Sequence, residues 1–166
     1  LGLKNNLNIF LKNLNSVGKN VTDYKSSPQI ELQSLIEFNS ELPLIKITES
    51  QNQILVPRLS LRLNPGDMKD HSSSERKVNM NNIFDINRLG IDDSFESGNS
   101  LTLGIDFKKE EGDRDLEIKL ASVFRDDIES NIPSQTTLNK RNSNLFGEID
   151  YRISEFINLD YNFSID

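Results

Sequence analysis

The chain has 166 residues, a formal net charge of −7 at pH 7 and a sequence pI of about 4.8. This acidic balance argues against nucleic acid as a partner, because phosphate binding requires a basic surface. Only 35% of the residues are hydrophobic, and no run approaches the roughly eighteen apolar residues of a transmembrane helix. The sequence has no Cys and one His, so these residues hold neither a disulfide framework nor a thiolate or His metal cluster.

The ends of the sequence predict that the chain is a piece of a longer protein. It begins on Leu1 rather than Met and stops on Asp166 inside an alternating apolar and polar run. No basic segment followed by an apolar one opens the sequence, so we expect no signal peptide within these residues.

Alternation of apolar and polar residues predicts seven β-strands, because a strand with unlike surroundings on its two faces has this period. The second strand keeps its register through Leu44, which favours one long strand over two. Pro43 lacks a donor for the ladder and predicts an edge, a bulge or the end of that strand near Ile47. The predicted strands are residues 1–12, 30–47, 55–64, 101–108, 116–124, 145–153 and 157–165.

The six predicted connectors alternate between long and short. In an up-and-down sheet alternate connectors lie at the same end, so the long loops (residues 13–29, 65–99 and 126–144) are expected at one end and the tight turns at the other. Outer-membrane β-barrels have this arrangement. The predicted fold is therefore all-β, with about seven antiparallel, up-and-down strands of a larger transmembrane β-barrel. A soluble sheet alternates in the same way and stays open as an alternative.

Six short motifs follow one another through the middle of the chain: Leu55-Val56-Pro57-Arg58, Asn64-Pro65, Asn82-Ile83-Phe84, Asn87-Arg88-Leu89-Gly90-Ile91-Asp92, Phe95-Glu96-Ser97-Gly98 and Leu101-Thr102-Leu103-Gly104. As an ordered set they resemble the β-barrel domain of the lipopolysaccharide (LPS) assembly proteins of the LptD family. That family is also called OstA, or organic-solvent-tolerance protein, and the resemblance is to its alphaproteobacterial type. Because the resemblance covers nearly the whole chain, residues 1–166 are interpreted as a fragment of that barrel domain without a complete second domain.

The resemblance implies a function in transport rather than catalysis. It implies a segment of the translocon that inserts LPS into the outer leaflet of the Gram-negative outer membrane. The implied partners are LPS, an LptE-like lipoprotein plug, the periplasmic bridge proteins of LPS transport and outer-membrane lipid, with no cofactor. The jelly-roll domain, the cysteines and the lateral gate of the family are expected outside this fragment. A porin or receptor barrel and a soluble β-sheet binding module stay open as alternatives.

Two sets of residues are candidates for function. In the long loop, we expect Arg88 to pair with Asp92 or Glu96 and so to fold the loop back over the barrel mouth. The alternative is that Arg88 is simply an exposed surface residue. The family-motif loop set is Asn82, Phe84, Asn87, Arg88, Gly90, Asp92, Glu96 and Gly98. A second, polar set is expected to line the lumen of the barrel and to contact a plug protein or a polar headgroup. The alternative is that these side chains only hydrate the lumen. The set is Arg58, Arg62, Glu148, Asp150 and Arg152.

Two groups of acidic loop residues allow a further interpretation, because carboxylate oxygens are the ligands that Ca²⁺ and Mg²⁺ prefer. The spacing of an EF-hand is missing, which favours solvated acidic loops. No nucleophile with a base partner and no Gly-rich phosphate loop occurs, so we expect no catalysis. The acidic groups are Asp92, Asp93 and Glu96 in one loop and Asp126, Asp127 and Glu129 in the next.

The alternation also predicts which side chains face lipid. In the strand at Leu101, the odd residues are expected to point outward and the even residues into the lumen. A charge on a lipid-facing side costs about 2–4 kcal/mol near the middle of the bilayer, whereas lumen positions tolerate it. We therefore expect Leu103→Arg to impair assembly more than Thr102→Arg.

Overall fold

The computed structural model describes residues 2–20 and 26–166. Leu1 and residues 21–25, which the sequence assigns to the first strand and the first long loop, lie outside this description. The elements are β1 (Lys4–Ser16), β2 (Gln29–Glu41), β3 (Leu44–Ile47), β4 (Asn52–Asn64), β5 (Gly98–Glu111), β6 (Arg114–Arg125), a 3-10 helix (Ser134–Thr136), β7 (Leu145–Ser154) and β8 (Ile157–Ile165).

All eight strands belong to one sheet and every pairing is antiparallel. The order is β1-β2-β4-β5-β6-β7-β8, with β3 beside β4. This confirms the predicted all-β, antiparallel, up-and-down fold class. The described sheet is open, with β1 and β8 at its edges. A helix long and apolar enough to cross a membrane is not found among the described residues.

The predicted second strand is interrupted at Leu42 and Pro43. The prediction of one continuous strand was therefore wrong, and the described sheet has eight strands. The two pieces keep a single register against β4. The Leu42 N–H donates to the carbonyl of Pro57 at 3.1 Å, but Pro57 has no N–H to return the second bond of that pair. The missing bond explains why an unbroken alternating pattern gives an interrupted strand.

The first strand is longer than predicted at its C-terminal end. Residues 13–16 were assigned to a loop from their Asn and Ser content, but they continue β1 because their backbone pairs with β2 up to Ser16 opposite Gln29. Backbone pairing is independent of side-chain type, so a neighbouring strand extends an element beyond its hydrophobic pattern.

The connectors are sorted by length as the sequence predicts. The tight turns at residues 48–51, 112–113 and 155–156 lie at one end of the sheet, and the long loops at residues 65–97 and 126–144 lie at the other. These two loops bond to each other, since the His71 N–H donates to the Asn131 carbonyl at 2.9 Å. Together they are called the cap.

The two faces of the sheet have opposite surroundings. The cap covers one face, called the cap face, on which Ser60, Thr102 and Val123 are buried. The other face, called the apolar face, is exposed. In a water-soluble sheet the solvated face is the polar one, so this arrangement is inverted. The exposed side chains of the apolar face are Leu7, Ile9, Leu11, Ile30, Leu32, Ile36, Phe38, Leu44, Leu61, Leu63, Leu103, Ile105, Phe124, Leu145, Ile157, Leu159, Tyr161 and Ile165.

A small hydrophobic core joins the cap to the cap face. It explains why the long loop is ordered, because apolar side chains that leave water stabilise the docked loop by roughly 25 cal/mol per Å² of buried surface. Most of its members come from the cap and the others from β6 and β7. They are Met68, Val78, Met80, Ile83, Leu89, Ile91, Ile132 and Leu138 in the cap, and Ala121, Val123 and Phe146 in the sheet.

Candidate functional site

The carboxylate of Glu96 is the centre of a buried charge cluster between the cap and the sheet. Arg88 donates two hydrogen bonds to it, from Nε to Oε2 at 2.7 Å and from Nη2 to Oε1 at 2.6 Å. Arg125, at the end of β6, also donates to Glu96 Oε1, and Arg62 Nη1 of β4 lies 3.6 Å from Oε2. One acidic side chain of the loop therefore contacts three arginines, one from the loop and two from strands of the sheet.

Arg88 completes its hydrogen bonds on the sheet. Its Nη1 donates to the hydroxyl of Thr102 at 2.9 Å, and its Nη2 donates to that of Ser100 at 3.0 Å. The Arg88 side chain has no exposed surface. Of the two partners that the sequence allows for Arg88, the structure pairs it with Glu96, while Asp92 is exposed.

The charge on Glu96 is stable because of its surroundings. Burial by itself raises the pKa of the carboxyl, but the charge of Arg88 and its hydrogen bonds, followed by the charges of Arg62 and Arg125, outweigh this effect. The result is a pKa of about 2. Glu96 is therefore ionised at every physiological pH, and the cluster stays paired.

Arg62 also links the cap to a second carboxylate. It donates to the backbone carbonyls of Asp85, at 3.5 Å, and of Ile86. On β2, directly opposite Arg62, Glu37 holds its Oε1 4.0 Å from Arg62 Nε. Asn39 donates to the other oxygen of Glu37 at 2.8 Å. The cluster thus extends from β6 across the sheet to β2.

Phe84 marks the boundary of the cap on the sheet. Its ring lies over Gly104, where a Cβ would be 2.6 Å from the ring Cζ, closer than real Cβ atoms approach other heavy atoms. The Arg58 guanidinium lies over the same ring, with its Cζ 4.0 Å from the centroid, a cation–π arrangement. The loop motif and the Leu-Thr-Leu-Gly strand motif are therefore in contact, and Gly104 is the residue that makes room.

The other residues of the family-motif loop set shape the loop backbone. Asn87 accepts a hydrogen bond from the Ile91 N–H at 2.9 Å. Gly90 has φ +62°, a left-handed conformation that a side chain disfavours. Asn82 donates to the Lys77 carbonyl at 3.2 Å, and Asp92 contributes its backbone carbonyl to Lys12 at 3.2 Å. The last member of the set, Gly98, begins β5.

All five residues of the polar set lie on the cap face, but in different surroundings. Arg62 is buried beneath the cap, whereas Arg58 lies at its boundary. Glu148 accepts a hydrogen bond from Lys119 at 2.8 Å. The remaining two members, Asp150 and Arg152, lie beyond the cap.

The acidic loop residues do not converge on one point. Glu96 is enclosed by arginines, Asp93 contacts His71 at 2.9 Å, and Asp126 accepts from the Asn99 side chain at 2.7 Å. Nowhere in residues 2–20 and 26–166 are three carboxylate, His or Cys side chains placed to hold a metal ion. These residues connect parts of the cap to one another and to the sheet.

Sequence reasoning missed several residues that hold the cap. Arg125 was not singled out, although it lies on the same face of β6 as Ala121 and Val123, and that position could have marked it. Gln33 of β2 accepts a hydrogen bond from the Phe95 N–H at 2.9 Å, and Lys12 Nζ lies 4.4 Å from the centroid of the Phe95 ring. No local pattern marks Lys12 or Gln33, because their partners are about 60 to 80 residues away in the sequence.

A comparison with protein families matches residues 6–166 to the family described as LptD, LPS transport system D. The match spans nearly the whole sequence, including the cap and every strand apart from the first two residues of β1. Neither the curated proteins nor the solved structures include a match.

Proposed function

Since the chain belongs to the LptD family of the LPS transport system, we propose that it is a wall segment of an outer-membrane β-barrel that inserts LPS into the outer leaflet. The proposal assigns the apolar face to the lipid and the cap face to the lumen. Its partners are LPS, an LptE-like lipoprotein plug and the periplasmic bridge proteins that deliver LPS. The proposed location is the outer membrane of a Gram-negative cell.

The observation that carries the proposal is the exposed apolar face. Leu103, Leu159 and Tyr161 are 42%, 55% and 63% exposed, while Thr102 on the opposite face is fully buried. Exposing a continuous apolar surface is unfavourable in water and favourable in the hydrocarbon core of a bilayer. The bilayer also provides the reason for the inverted arrangement, because a barrel wall is apolar outside and polar inside.

The apolar face is also close in height to the apolar band of an outer-membrane barrel. Phe124 of β6 lies at the cap end, and eight residues along the same strand Leu116 pairs with Tyr151 of β7. At about 3.4 Å per residue this is about 27 Å along the strand. A strand tilt of about 40° reduces the height to about 21 Å, close to the roughly 25 Å apolar band between the aromatic girdles of outer-membrane barrels. The proposal therefore assigns Phe124 and Tyr151 to the two girdles.

Several features support a role in transport rather than catalysis. At the cap, Glu96 pairs with Arg88 and Arg125. Arg62 and Arg125 donate to backbone carbonyls of the cap, which gives these ionic groups a role in holding the cap in place. The family is one of transport proteins. The cap closes the cap face at the end with long loops, which is the extracellular end in outer-membrane barrels. Lipid that moves through such a barrel would leave it through the wall below the cap.

The test is depletion of the full-length protein in its own bacterium. We expect newly made LPS to disappear from the cell surface and to accumulate in the inner membrane, and a plasmid-borne copy to restore transport. Surface LPS that stays normal, together with lost uptake of a small hydrophilic solute, would instead indicate a porin or receptor. Recovery of the full-length protein from the aqueous phase without detergent would indicate a soluble β-sheet module.

A further inference from the structure

At the end of the sheet with the tight turns, the β5–β6 hairpin and the β7–β8 hairpin separate from each other. The last pair that joins β6 to β7 at this end is Asp115 opposite Arg152. Close to it, the register of β7 against β8 shifts between Arg152 and Ser154, and such a bulge bends the strand and redirects side chains. An open notch of about 350 Å³ lies between the turns of the two hairpins.

The walls of the notch carry charges of both signs. Arg114 begins β6, and Asp113 and Glu155 lie in the two turns. All three side chains are exposed, and none of them forms a salt bridge with another described residue. Glu111, the carboxylate directly opposite Arg114, instead binds Lys109 Nζ at 2.7 Å. The notch thus presents one guanidinium and two carboxylates that the described part of the chain leaves without a charged partner.

The same notch has an apolar part. Phe156, in the β7–β8 turn, is 93% exposed, and Ile153, at the bulge, is half-buried. Both residues line the notch together with Arg114. In outer-membrane barrels, exposed aromatic side chains are typical of the level at which the wall meets the membrane interface, where an apolar ring contacts lipid.

The notch lies at the level of lipid head groups. Arg114 is two residues beyond Leu116, which pairs with Tyr151 of the proposed girdle, and alternation puts it on the same face as Leu116. Two residues are about 7 Å along a strand, or about 5 Å in height at a tilt of about 40°. Head groups occupy about 5–7 Å on either side of the hydrocarbon core. The guanidinium of Arg114 is therefore within reach of lipid phosphates.

We propose that the notch binds the head group of a zwitterionic phospholipid that carries a phosphate and a primary ammonium. The inference rests on the proposed function, because it takes the apolar face as the side that contacts lipid. Arg114 donates hydrogen bonds to the phosphate, and the carboxylates of Asp113 and Glu155 accept hydrogen bonds from the ammonium. The acyl chains lie against Phe156 and the apolar face.

The charges of the notch distinguish this head group from two others. An anionic head group without an ammonium satisfies Arg114, but Asp113 and Glu155 repel it, and like charges brought together are unfavourable. A quaternary ammonium has no N–H to donate to these two carboxylates. A phosphate joined to a primary ammonium satisfies all three charged side chains.

Lipid retention by the purified full-length protein tests this selectivity. The barrel in detergent is incubated with equal amounts of phosphatidylethanolamine, phosphatidylglycerol and phosphatidylcholine that have the same acyl chains, and the lipids that stay bound are counted by native mass spectrometry. We expect the parent protein to retain at least fivefold more phosphatidylethanolamine than either of the other lipids. Equal retention of the three, or a preference for one of the other two, would overturn the proposal.

Removal of charges tests which side chains bind the head group. Arg114→Gln is expected to lower the retention of phosphatidylethanolamine at least fivefold, and Asp113→Asn/Glu155→Gln to abolish its preference over phosphatidylcholine. The matched control is Lys46→Gln, which removes an exposed cation of β3 that is level with Leu116 on the apolar face but away from the notch. The amount of folded barrel is measured for each variant, and the carboxylate variant keeps the test valid if Arg114→Gln does not fold. Unchanged selectivity in the folded variants would contradict the proposal.

A cross-linking experiment in cells tests what lies in the notch. A photoreactive amino acid replaces Phe156 in the full-length protein, and the control replaces Asn158, which is two residues away on the cap face. We expect a phospholipid adduct, identified by its mass, at position 156 and none at position 158. A cross-link to a protein in place of the lipid adduct would show that the notch is a protein-docking surface and would overturn the proposal.

The two proposals can fail separately. If depletion of the parent protein blocks LPS transport but the purified barrel retains the three lipids equally, the transport function stands and the head-group site is wrong. If the barrel selects phosphatidylethanolamine but LPS transport is unaffected by depletion, the head-group site stands and the proposed transport function fails.

Discussion

Arg88 and Glu96 are eight residues apart in the cap and are joined by two hydrogen bonds, of 2.7 and 2.6 Å, in a place where their side chains are 0% and 5% exposed. The same carboxylate receives Arg125 from β6 and lies near Arg62 from β4. A pair that closes the loop on itself is thus also the attachment of the loop to the sheet.

Removal of the Glu96 carboxylate is expected to release the cap. Glu96→Ala leaves three buried arginines without their shared counter-ion, and breaking a buried ion pair from one side costs about 3–5 kcal/mol. The measurement is the opening free energy of the amides at residues 83–91, from hydrogen exchange in the full-length protein. Asp127→Ala, which removes an exposed ion pair with Arg141, is the control and should change nothing measurable. Equal protection in Glu96→Ala and the parent would show that apolar packing alone holds the cap.

The cap is expected to loosen in acid within a defined range of pH. The pKa of Glu96 is about 2 in the folded protein, below its ordinary value of 4.5. Because this pKa is lowered, the ionised Glu96 stabilises the docked cap fully above about pH 4.5, and this stabilisation is lost as the pH falls toward 2. Opening free energies from hydrogen exchange, corrected for intrinsic rates, should be constant from pH 7 to 5 and then decrease. Glu96→Gln should remove this dependence, and a decrease of the same size in that variant would assign it to other groups.

A methyl group at position 104 is expected to displace the Phe84 ring. The Cβ of Gly104→Ala would lie 2.6 Å from the ring Cζ and 3.2 Å from the Leu120 carbonyl oxygen. Overpacking of this kind costs about 1–3 kcal/mol. Cap protection in hydrogen exchange should therefore fall, and Phe84→Leu in the same chain should restore part of it by making room. A double variant no better protected than Gly104→Ala would identify the backbone contact, rather than the ring, as the limiting one.

Charges on the two faces of β8 are expected to have different effects. Tyr161 lies on the apolar face and Asn162 on the cap face, and both are exposed in this sheet. In the full-length protein, Tyr161→Arg should lower the amount of folded barrel recovered from outer membranes, because an Arg on the lipid side costs up to about 2–4 kcal/mol. Asn162→Arg should be tolerated. Similar recovery of both variants would contradict the assignment of the apolar face to lipid.

The structure also changes the expected difference between Leu103→Arg and Thr102→Arg on β5. Alternation placed Thr102 in an open lumen where Arg would be tolerated, but Thr102 is fully buried under the cap and bonds to Arg88. Thr102→Arg would place another cation among Arg62, Arg88 and Arg125. We therefore no longer expect an Arg to be tolerated at this position. Thr102 lies on the face opposite Leu103, as the alternation predicts, but that face is covered by the cap at this position.

The sequence by itself determined the strands, their faces and the sorting of loops. A period of two residues is a local property, because successive side chains of a strand point to opposite faces whatever the strand packs against. The exposed apolar face that includes Leu103 and Leu159 could therefore be predicted. Pro43 by itself indicated an edge, a bulge or a strand end near Ile47. The break at Leu42 and Pro43 was not predicted, because it depends on the missing donor of Pro57 on the neighbouring strand.

Only the tertiary structure decided how the cap is held and which part of the cap face stays uncovered. Glu96 and Arg88 are close in the sequence and their pairing was one of two expectations, but Arg125 reaches Glu96 from 29 residues away. Strand register likewise brings Glu117, Asp150 and Asp160 together on the cap face. Contacts of this kind depend on strand register, which the turns and the hydrophobic pattern of the whole sheet set, and not on the residues that the register happens to bring together.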